Sequence, residues 1–110
     1  MRQGEIWMAN LDPAKDSEQM GTRPAVIISG NAMNDHSGLV IICPLSSKIK
    51  HFIGDILLEP TQSNGLSVQS EVLVFQIRTV SKTRLINKLG YISDEELFNL
   101  LANLNKILKY

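Results

Sequence analysis

The chain has 110 residues, of which 44% are hydrophobic; this is typical of a globular protein with one modest core and argues against a disordered one. Lys and Arg total 11 and Asp and Glu total 11, so the formal net charge is zero. Overall charge therefore gives no support for nucleic-acid binding, and any such site has to be a local patch of positive charge.

Cysteine usage and apolar runs bear on the cellular location. The single cysteine, Cys43, excludes an internal disulfide and fits a reducing cytoplasm, and its apolar neighbours predict a buried thiol rather than a nucleophile. The first five residues lack an apolar core, so we expect no signal peptide. No apolar stretch approaches the roughly 20 residues that span a membrane. We therefore expect a cytoplasmic protein whose single domain covers residues 1–110.

The N-terminal half of the chain predicts three apolar strands separated by polar loops. The first strand is expected at residues 5–9, and a long loop follows from about residue 10 to residue 22. Long loops without structure of their own are often functional. The Val- and Ile-rich runs at residues 24–29 and 39–44 have the composition of central strands. The polar cluster between them, residues 30–38, is predicted to be a turn.

The C-terminal half predicts more strands and one helix. Strands are expected at residues 55–59 and 70–77, with a short one at residues 90–92. Ser93 and Glu96 have the spacing of a helix capping box. Apolar residues then recur at helical spacing, namely Leu97, Leu100, Leu101, Leu104, Ile107 and Leu108. The prediction is a mostly β, α+β fold, in which a small curved antiparallel sheet, closed into a small barrel, is covered by a C-terminal helix.

Residues 17–24, with the sequence Ser-Glu-Gln-Met-Gly-Thr-Arg-Pro, carry the most informative chemistry. A carboxylate, an amide and an arginine lie on one loop that runs into an apolar strand. Pro24 fixes its own φ and biases Arg23 towards extended geometry. The planar guanidinium binds oxyanions bidentately, so Arg23 suits a phosphate or a developing phosphorane. The alternative is an ordinary surface Arg–Glu pair beside a strand.

Two further stretches are rich in basic groups. Residues 44–51, with the sequence Pro-Leu-Ser-Ser-Lys-Ile-Lys-His, follow the most apolar strand. The second stretch contains Arg78, Lys82, Arg84 and Lys88. Each stretch either faces phosphates or is solvated loop charge, and the sequence leaves both interpretations open. His36 and His51 have nothing in the sequence that pairs them as acid and base.

Other site patterns are missing from the sequence. It has no Cys/His metal spacing, no Gly-rich phosphate loop, no Gly-x-Ser-x-Gly elbow and no dinucleotide fingerprint. The aromatic residues are few and scattered, which does not predict a platform of stacked rings for RNA.

Taken together, these elements resemble the MazF/PemK (Kid) family of toxins, in order, at similar spacing and over essentially the full chain. The Glu-Gln-x-Gly-x-Arg-Pro element of residues 18–24 is the specific part of this resemblance, whereas the helix stripe is generic. The other matching segments are Gly4-Glu5-Ile6-Trp7, Asp12-Pro13, Ala25-Val26-Ile27-Ile28-Ser29, Pro44-Leu45-Ser46-Ser47, Gln76-Ile77-Arg78-Thr79-Val80, Arg84-Leu85 and the helix after Gly90.

The resemblance implies a toxin of a type II toxin–antitoxin system. Its implied activity is that of a ribosome-independent, sequence-specific endoribonuclease that cuts single-stranded RNA, messenger RNA above all, with no metal and no other cofactor. The RNA 2′-hydroxyl attacks the adjacent phosphorus and leaves a 2′,3′-cyclic phosphate and a 5′-hydroxyl. The implied fold is the SH3-like barrel that the family shares with the gyrase poison CcdB. The implied partners are a second copy in a homodimer and a MazE-like antitoxin with a disordered acidic tail.

The resemblance also implies roles for individual residues. Arg23 matches the family's catalytic arginine, Ser46 matches its catalytic hydroxyl residue, and Glu18 matches a first-loop residue linked to catalysis. The expected RNA-binding residues are Gln19, Ser47, Lys48, Lys50, Gln76 and Arg78.

The chain departs from the family pattern beside Gln76. Many members have an acidic residue immediately before this glutamine, in some of them as general base, and here the position is Phe75. Leu73 stands where the PemK branch has an arginine. The general base is then Glu18 or no side chain at all. The rival hypothesis is a non-catalytic toxin of the same fold, which acts by binding a protein as CcdB does or only binds its antitoxin.

Overall fold

The computed structural model describes residues 1–13 and 21–109 of the chain. The strands are β1 (Glu5–Asn10), β2 (Thr22–Ile27), β3 (Leu39–Ser46), β4 (Ile56–Leu58), β5 (Ser70–Val72), β6 (Arg78–Ser81) and β7 (Leu85–Tyr91). The α-helices are α1 (Asn31–His36) and α2 (Asp94–Ile107), and single 3₁₀ turns lie at Val74–Gln76 and Lys82–Arg84. None of the helices in this described part is long and apolar enough to cross a membrane.

The strands form one curled antiparallel sheet in the order β4-β5-β3-β2-β1-β7, with β6 also paired to β3. The first half of β3 pairs with β6, from Leu39 opposite Ser81 to Ile42 opposite Arg78. Its last residues pair with β5 instead. Because one long strand serves both parts of the sheet, the sheet curls into a half-barrel rather than lying flat. The expected mostly β fold with a C-terminal helix is thereby confirmed.

The core has two parts, which follow the alternation of side chains along the strands. In β2, Val26 belongs to one apolar cluster, whereas Ala25 and Ile27 belong to the other. Successive residues of a strand point to opposite faces, so the two clusters lie on the two sides of the sheet. Cys43 is fully buried in the first cluster, and burial, with a smaller effect of Asp55, raises the pKa of its thiol to about 12. This agrees with the expectation of a buried, unreactive thiol.

Helix α2 begins as the sequence predicts and covers the first cluster. Ser93 Oγ accepts a hydrogen bond from the Glu96 amide at 3.1 Å, and Glu96 Oε1 accepts one from the Ser93 amide at 2.8 Å. Leu100 is completely buried, and its neighbours on the same face pack against the cluster. Leu108, just beyond the end of the helix, is 74% exposed, so the apolar stripe joins the core only along its first turns.

Three local predictions were wrong. The run at residues 70–77 is not one strand, because the side chain of Asp55 accepts the Val74 amide at 2.9 Å and removes it from strand pairing. The polar segment before β3 contains α1, whose Asn34 is buried and hydrogen-bonds the Ser29 carbonyl at 2.9 Å. The last strand is longer than predicted, since β7 has seven residues and pairs with β1 from Leu85 to Tyr91 with two register shifts.

Candidate nucleic-acid interface

Arg23 is the second residue of β2. Its backbone is paired with Ala9 of β1, and its side chain is half-buried. Arg23 lines two cavities, one of about 500 Å³ and one of about 630 Å³. Strand pairing therefore holds the arginine at the boundary between two recesses of the surface.

The smaller cavity, which we name the cationic pocket, gathers most of the expected site residues. Its walls are Arg23, Ser46, Lys48, Lys50, Phe52, Leu73, Phe75 and Gln76. Three cations, a hydroxyl and an amide thus meet in one recess, although they come from three separate segments of the chain. This set of donors suits a phosphate diester, because every charged member of it is positive.

Ser46 is the last residue of β3, and its hydroxyl organises the turn that follows. Ser46 Oγ accepts a hydrogen bond from the Lys48 amide at 3.1 Å and lies 3.4 Å from the Lys48 carbonyl oxygen. The first contact uses a lone pair, and the second is a long one for a hydroxyl donor. The hydroxyl proton can therefore turn towards an oxyanion in the pocket without breaking the turn.

Glu71 anchors the segment after this turn and was missed by sequence reasoning. It lies on β5 directly opposite Ser46 and is fully buried. Its carboxylate accepts three backbone hydrogen bonds, from the amides of Lys50 at 2.7 Å, His51 at 3.2 Å and Phe52 at 2.9 Å. His51 adopts a positive φ of 56°. This bend of the backbone lets three successive amides point at one carboxylate.

The pKa of Glu71 reflects this setting. Burial alone would raise the pKa, but the hydrogen bonds from Lys50, Asp55, Phe52 and His51 lower it below its ordinary value. Glu71 is therefore an ionised structural carboxylate that holds the loop carrying Lys50. An acidic residue within an apolar strand sequence was the available signal, since a buried carboxylate requires partners.

The half-buried Asp55 lies beside the buried Glu71 carboxylate. Asp55 Oδ1 accepts the Val74 amide, which holds the turn that carries Phe75 and Gln76. Burial, together with the neighbouring Glu71 carboxylate, raises the pKa of Asp55 to about 7 against the lowering effect of the Val74 amide. Near neutral pH, Asp55 thus carries a proton for much of the time.

The larger cavity contains a different part of the predicted set. Ser47 lines it together with Thr22 and Arg23, whereas Ser46, of these two cavities, lines the cationic pocket. Neighbouring residues of a strand end point to opposite sides, which separates the two hydroxyls. Apart from Arg23, the walls are neutral; they include Met8, Pro24, Leu45, Leu66, Val68 and Leu89.

The second basic stretch is bound to the protein itself. Arg84 donates to the carbonyls of Asn10, at 3.1 Å, and Asp12, and thus holds the start of the first loop. Lys82 donates to the Asn34 carbonyl, and Lys88 forms an ion pair with Glu5 at 2.9 Å.

The remaining members of the predicted site lie apart from the cationic pocket or cannot be placed. Arg78 Nη1 contacts the Leu11 carbonyl at 3.5 Å, and neither cavity described above includes Arg78. Its role in RNA binding stays a prediction. Glu18 and Gln19 lie outside the described residues. His36 Nδ1 contacts the Ala32 carbonyl within α1 at 3.0 Å.

Comparison with known proteins gives consistent results. The sequence matches the family described as PemK-like, MazF-like toxin of type II toxin-antitoxin system over residues 2–108. It is 36% identical to Endoribonuclease MazF9 of Mycobacterium tuberculosis over 115 residues, which cover 99% of this chain and 93% of that protein. It is 38% identical to Endoribonuclease MazF of Staphylococcus saprophyticus over 98 residues, which cover 88% of this chain and 82% of that protein.

Solved structures agree with the sequence comparison. The crystal structure of MazF from Deinococcus radiodurans superposes with a TM-score of 0.86 at 26% identity, covering 100% of this chain and 97% of that one. A MazE–MazF complex from the same organism gives a TM-score of 0.79 at 28% identity, with 98% and 95% covered. Since both the family match and the relatives span nearly the whole sequence, this chain belongs to the PemK-like, MazF-like toxin family of type II toxin–antitoxin systems.

Proposed function

We propose that this protein is a sequence-specific, metal-independent endoribonuclease toxin that cuts single-stranded RNA, messenger RNA above all. The observation that carries the proposal is the convergence of Arg23, Ser46 and Gln76 with two lysines on one cationic pocket. Two relatives at 36% and 38% identity are named endoribonucleases, which supports the same reaction here.

The proposed reaction is an internal displacement at phosphorus. The 2′-hydroxyl of the nucleotide before the cut attacks the adjacent phosphorus and loses its proton. The bond to the 5′-oxygen of the next nucleotide breaks, and that oxygen takes up a proton. The products are a 2′,3′-cyclic phosphate and a 5′-hydroxyl. The substrate supplies the nucleophile, so the protein has to align the attack and stabilise charge, and no metal-bound water is needed.

Each pocket residue has a defined task in this reaction. Arg23 binds the non-bridging oxygens, on which negative charge grows, through its planar fork. Ser46 donates a hydrogen bond to the same phosphate, and Lys48 and Lys50 hold the strand through its flanking phosphates. Glu71 does not act as the base, because it is fully buried and its oxygens are engaged by backbone amides. Proton removal falls to Glu18 or to no side chain.

We further propose a homodimer and an antitoxin that competes with RNA. An antitoxin with a disordered acidic tail can imitate the polyanion and become ordered as it binds the cationic pocket. The MazE–MazF complexes of Deinococcus radiodurans, whose toxin is 28% identical to this chain in one form, support an antitoxin partner of that kind. Purified protein should be dimeric at micromolar concentration, and RNA and antitoxin should displace each other.

The test of the activity is cleavage of a long single-stranded RNA in excess EDTA. We expect full cleavage at a short recurrent sequence, with cyclic phosphate and 5′-hydroxyl ends. Loss of activity on chelation, or 5′-phosphate ends, would refute the proposed mechanism. A protein that binds an antitoxin but cuts no RNA would instead be the non-catalytic alternative.

A further inference from the structure

Two aromatic side chains that are far apart in the sequence meet at the cationic pocket. The rings of Phe52 and Phe75 lie edge to face, with 4.9 Å between centroids and an interplanar angle of 66°. Phe52 is 44% exposed and Phe75 is 43% exposed, and both line the same recess as Arg23. The scatter of aromatic residues along the sequence therefore does not describe their arrangement in space.

Two neighbouring carboxyl groups anchor the backbone beside both rings. The Phe52 amide donates to Glu71 Oε2 at 2.9 Å, and the amide of Val74, next to Phe75, donates to Asp55 Oδ1 at 2.9 Å. Glu71 and Asp55 also interact electrostatically with each other. The backbone that carries each ring is thus fixed before any ligand arrives, which lowers the ordering cost of binding.

The composition of the pocket selects the kind of ligand. Exposed rings bind a flat apolar group by stacking, and the surrounding Arg23, Lys48 and Lys50 attract a polyanion. A nucleotide carries both features within one unit, a planar base and a phosphate. An apolar peptide would satisfy the rings but leave three cations beside an uncharged ligand.

We propose that Phe52 and Phe75 form a stacking subsite for one unstacked nucleobase of the RNA, next to the phosphate that is cut. This inference rests on the proposed function and deepens it, because it assigns part of the RNA binding to the position before Gln76, where many members of the family have an acidic residue and this chain has Phe75. The base enters the recess between the rings and the cations, and its own phosphate reaches Arg23 and Ser46.

The test uses RNA oligonucleotides that carry the sequence cut by the wild-type protein, in which one base at a time is replaced by an abasic nucleotide. We expect one abasic position beside the cut to lower kcat/KM about 30-fold in the wild type, the middle of the range for base–aromatic stacking. Phe75→Leu and Phe52→Leu should cause a similar loss on intact RNA and be insensitive to that abasic position. Phe75→Tyr keeps a ring and should retain near wild-type rates. Phe98→Leu, at a 73% exposed ring on α2, is the matched control and should change nothing.

The outcomes separate this subsite from the proposed function. In one outcome the wild type cuts RNA, and the loss from each leucine substitution multiplies the loss from an abasic nucleotide at every position. The rings and the bases then do not interact, so the subsite is wrong and the endoribonuclease activity stands. If the leucine variants lose antitoxin binding with unchanged RNA kinetics, the rings serve a protein partner and the proposal is overturned. If the wild type cuts no RNA, the proposed function fails. The subsite is then judged by quenching of 2-aminopurine in an RNA heptamer: equal quenching by wild type and Phe75→Leu, or none by either, overturns it.

Discussion

The two basic segments of this chain look alike in sequence and differ completely in the folded protein. Lys48 and Lys50 are exposed, line the cationic pocket and make no side-chain hydrogen bond to any of the described residues. Lys82 and Arg84 are half-buried and donate to backbone carbonyls. The difference arises because the first segment is held by its backbone, through Glu71, whereas the second is held by its side chains. The lysine side chains of the first segment are available to a ligand because backbone hydrogen bonds, and not these side chains, hold the segment in place.

The largest expected effect concerns Arg23, the cation that the sheet itself positions. We expect Arg23→Ala to lower the rate of RNA cleavage by about 10³-fold or more, at the upper end of what one stabilising donor contributes. Arg23→Lys should restore little, because a point charge lacks the bidentate fork. Single-turnover cleavage with a folding check by circular dichroism measures this.

The control for Arg23 is Arg2→Ala. Arg2 is an exposed arginine whose ion pair with Asp35 lies outside both cavities, so its loss should leave the rate unchanged. Near-normal cleavage by folded Arg23→Ala protein would remove Arg23 from the reaction and with it the role proposed for the pocket.

The carboxylates of Glu71 and Glu18 can be compared in the same way. Glu71 is bound by three amides, whereas Glu18 of the first loop is the carboxylate proposed as the base. We expect Glu18→Gln to slow cleavage on the order of 10²-fold, and the loss should shrink at high pH, where the 2′-hydroxyl ionises with less help. Rates of wild type, Glu18→Gln and the exposed control Glu59→Gln are compared between pH 6 and 9. A Glu18→Gln rate within about threefold of wild type across that range would leave proton removal to no side chain.

A direct comparison of the two basic segments uses paired double variants. Lys48→Ala with Lys50→Ala should raise KM about tenfold and reduce the salt dependence of binding by roughly 1.4 in log–log slope, since single strands release about 0.7 counterions per contact. Lys82→Ala with Lys88→Ala removes the same charge from contacts within the protein. This variant should keep KM and the salt slope and lose at most about 1 kcal/mol of stability. Equal salt slopes for the two double variants would contradict the assignment of Lys48 and Lys50 to RNA binding and of Lys82 and Lys88 to contacts within the protein.

The smallest expected effect is a pH dependence of stability from Asp55. Its pKa is raised to about 7 in the folded protein, so its contribution is fully present below its ordinary value near 4 and is lost as the pH rises through 7. We expect the free energy of unfolding to fall by about 1 kcal/mol between pH 5 and 8, less than the full shift implies because the site is partly solvated. Asp55→Asn, which still accepts from Val74 and can donate to Glu71, should flatten this slope.

Urea unfolding at several pH values measures the difference between wild type and Asp55→Asn. The lowered pKa of Glu71 works in the opposite direction, since its contribution is lost only as the pH falls well into the acid range. A slope that is the same in both proteins between pH 5 and 8 would show that Asp55 does not titrate near pH 7.

Much of the fold was predictable from local signals. The capping box of Ser93 and Glu96 and the leucines after it were sufficient to predict α2, and the apolar runs predicted β2 and β3, because these patterns act within a few residues. The region from β5 to β6 was harder, since the strand predicted at residues 70–77 is interrupted by a contact with Asp55, nineteen positions away from Val74.

The sequence by itself determined the family, the C-terminal helix and the identity of Arg23 and Ser46 as candidates, because short motifs with fixed spacing specify them. Only the tertiary structure decided which cations face the pocket, that Asp55 lies beside the buried Glu71, and that Phe52 meets Phe75. Each of these depends on contacts between segments far apart in the sequence, where hydrogen-bond partners are set by strand pairing and the curl of the sheet rather than by neighbours in the chain.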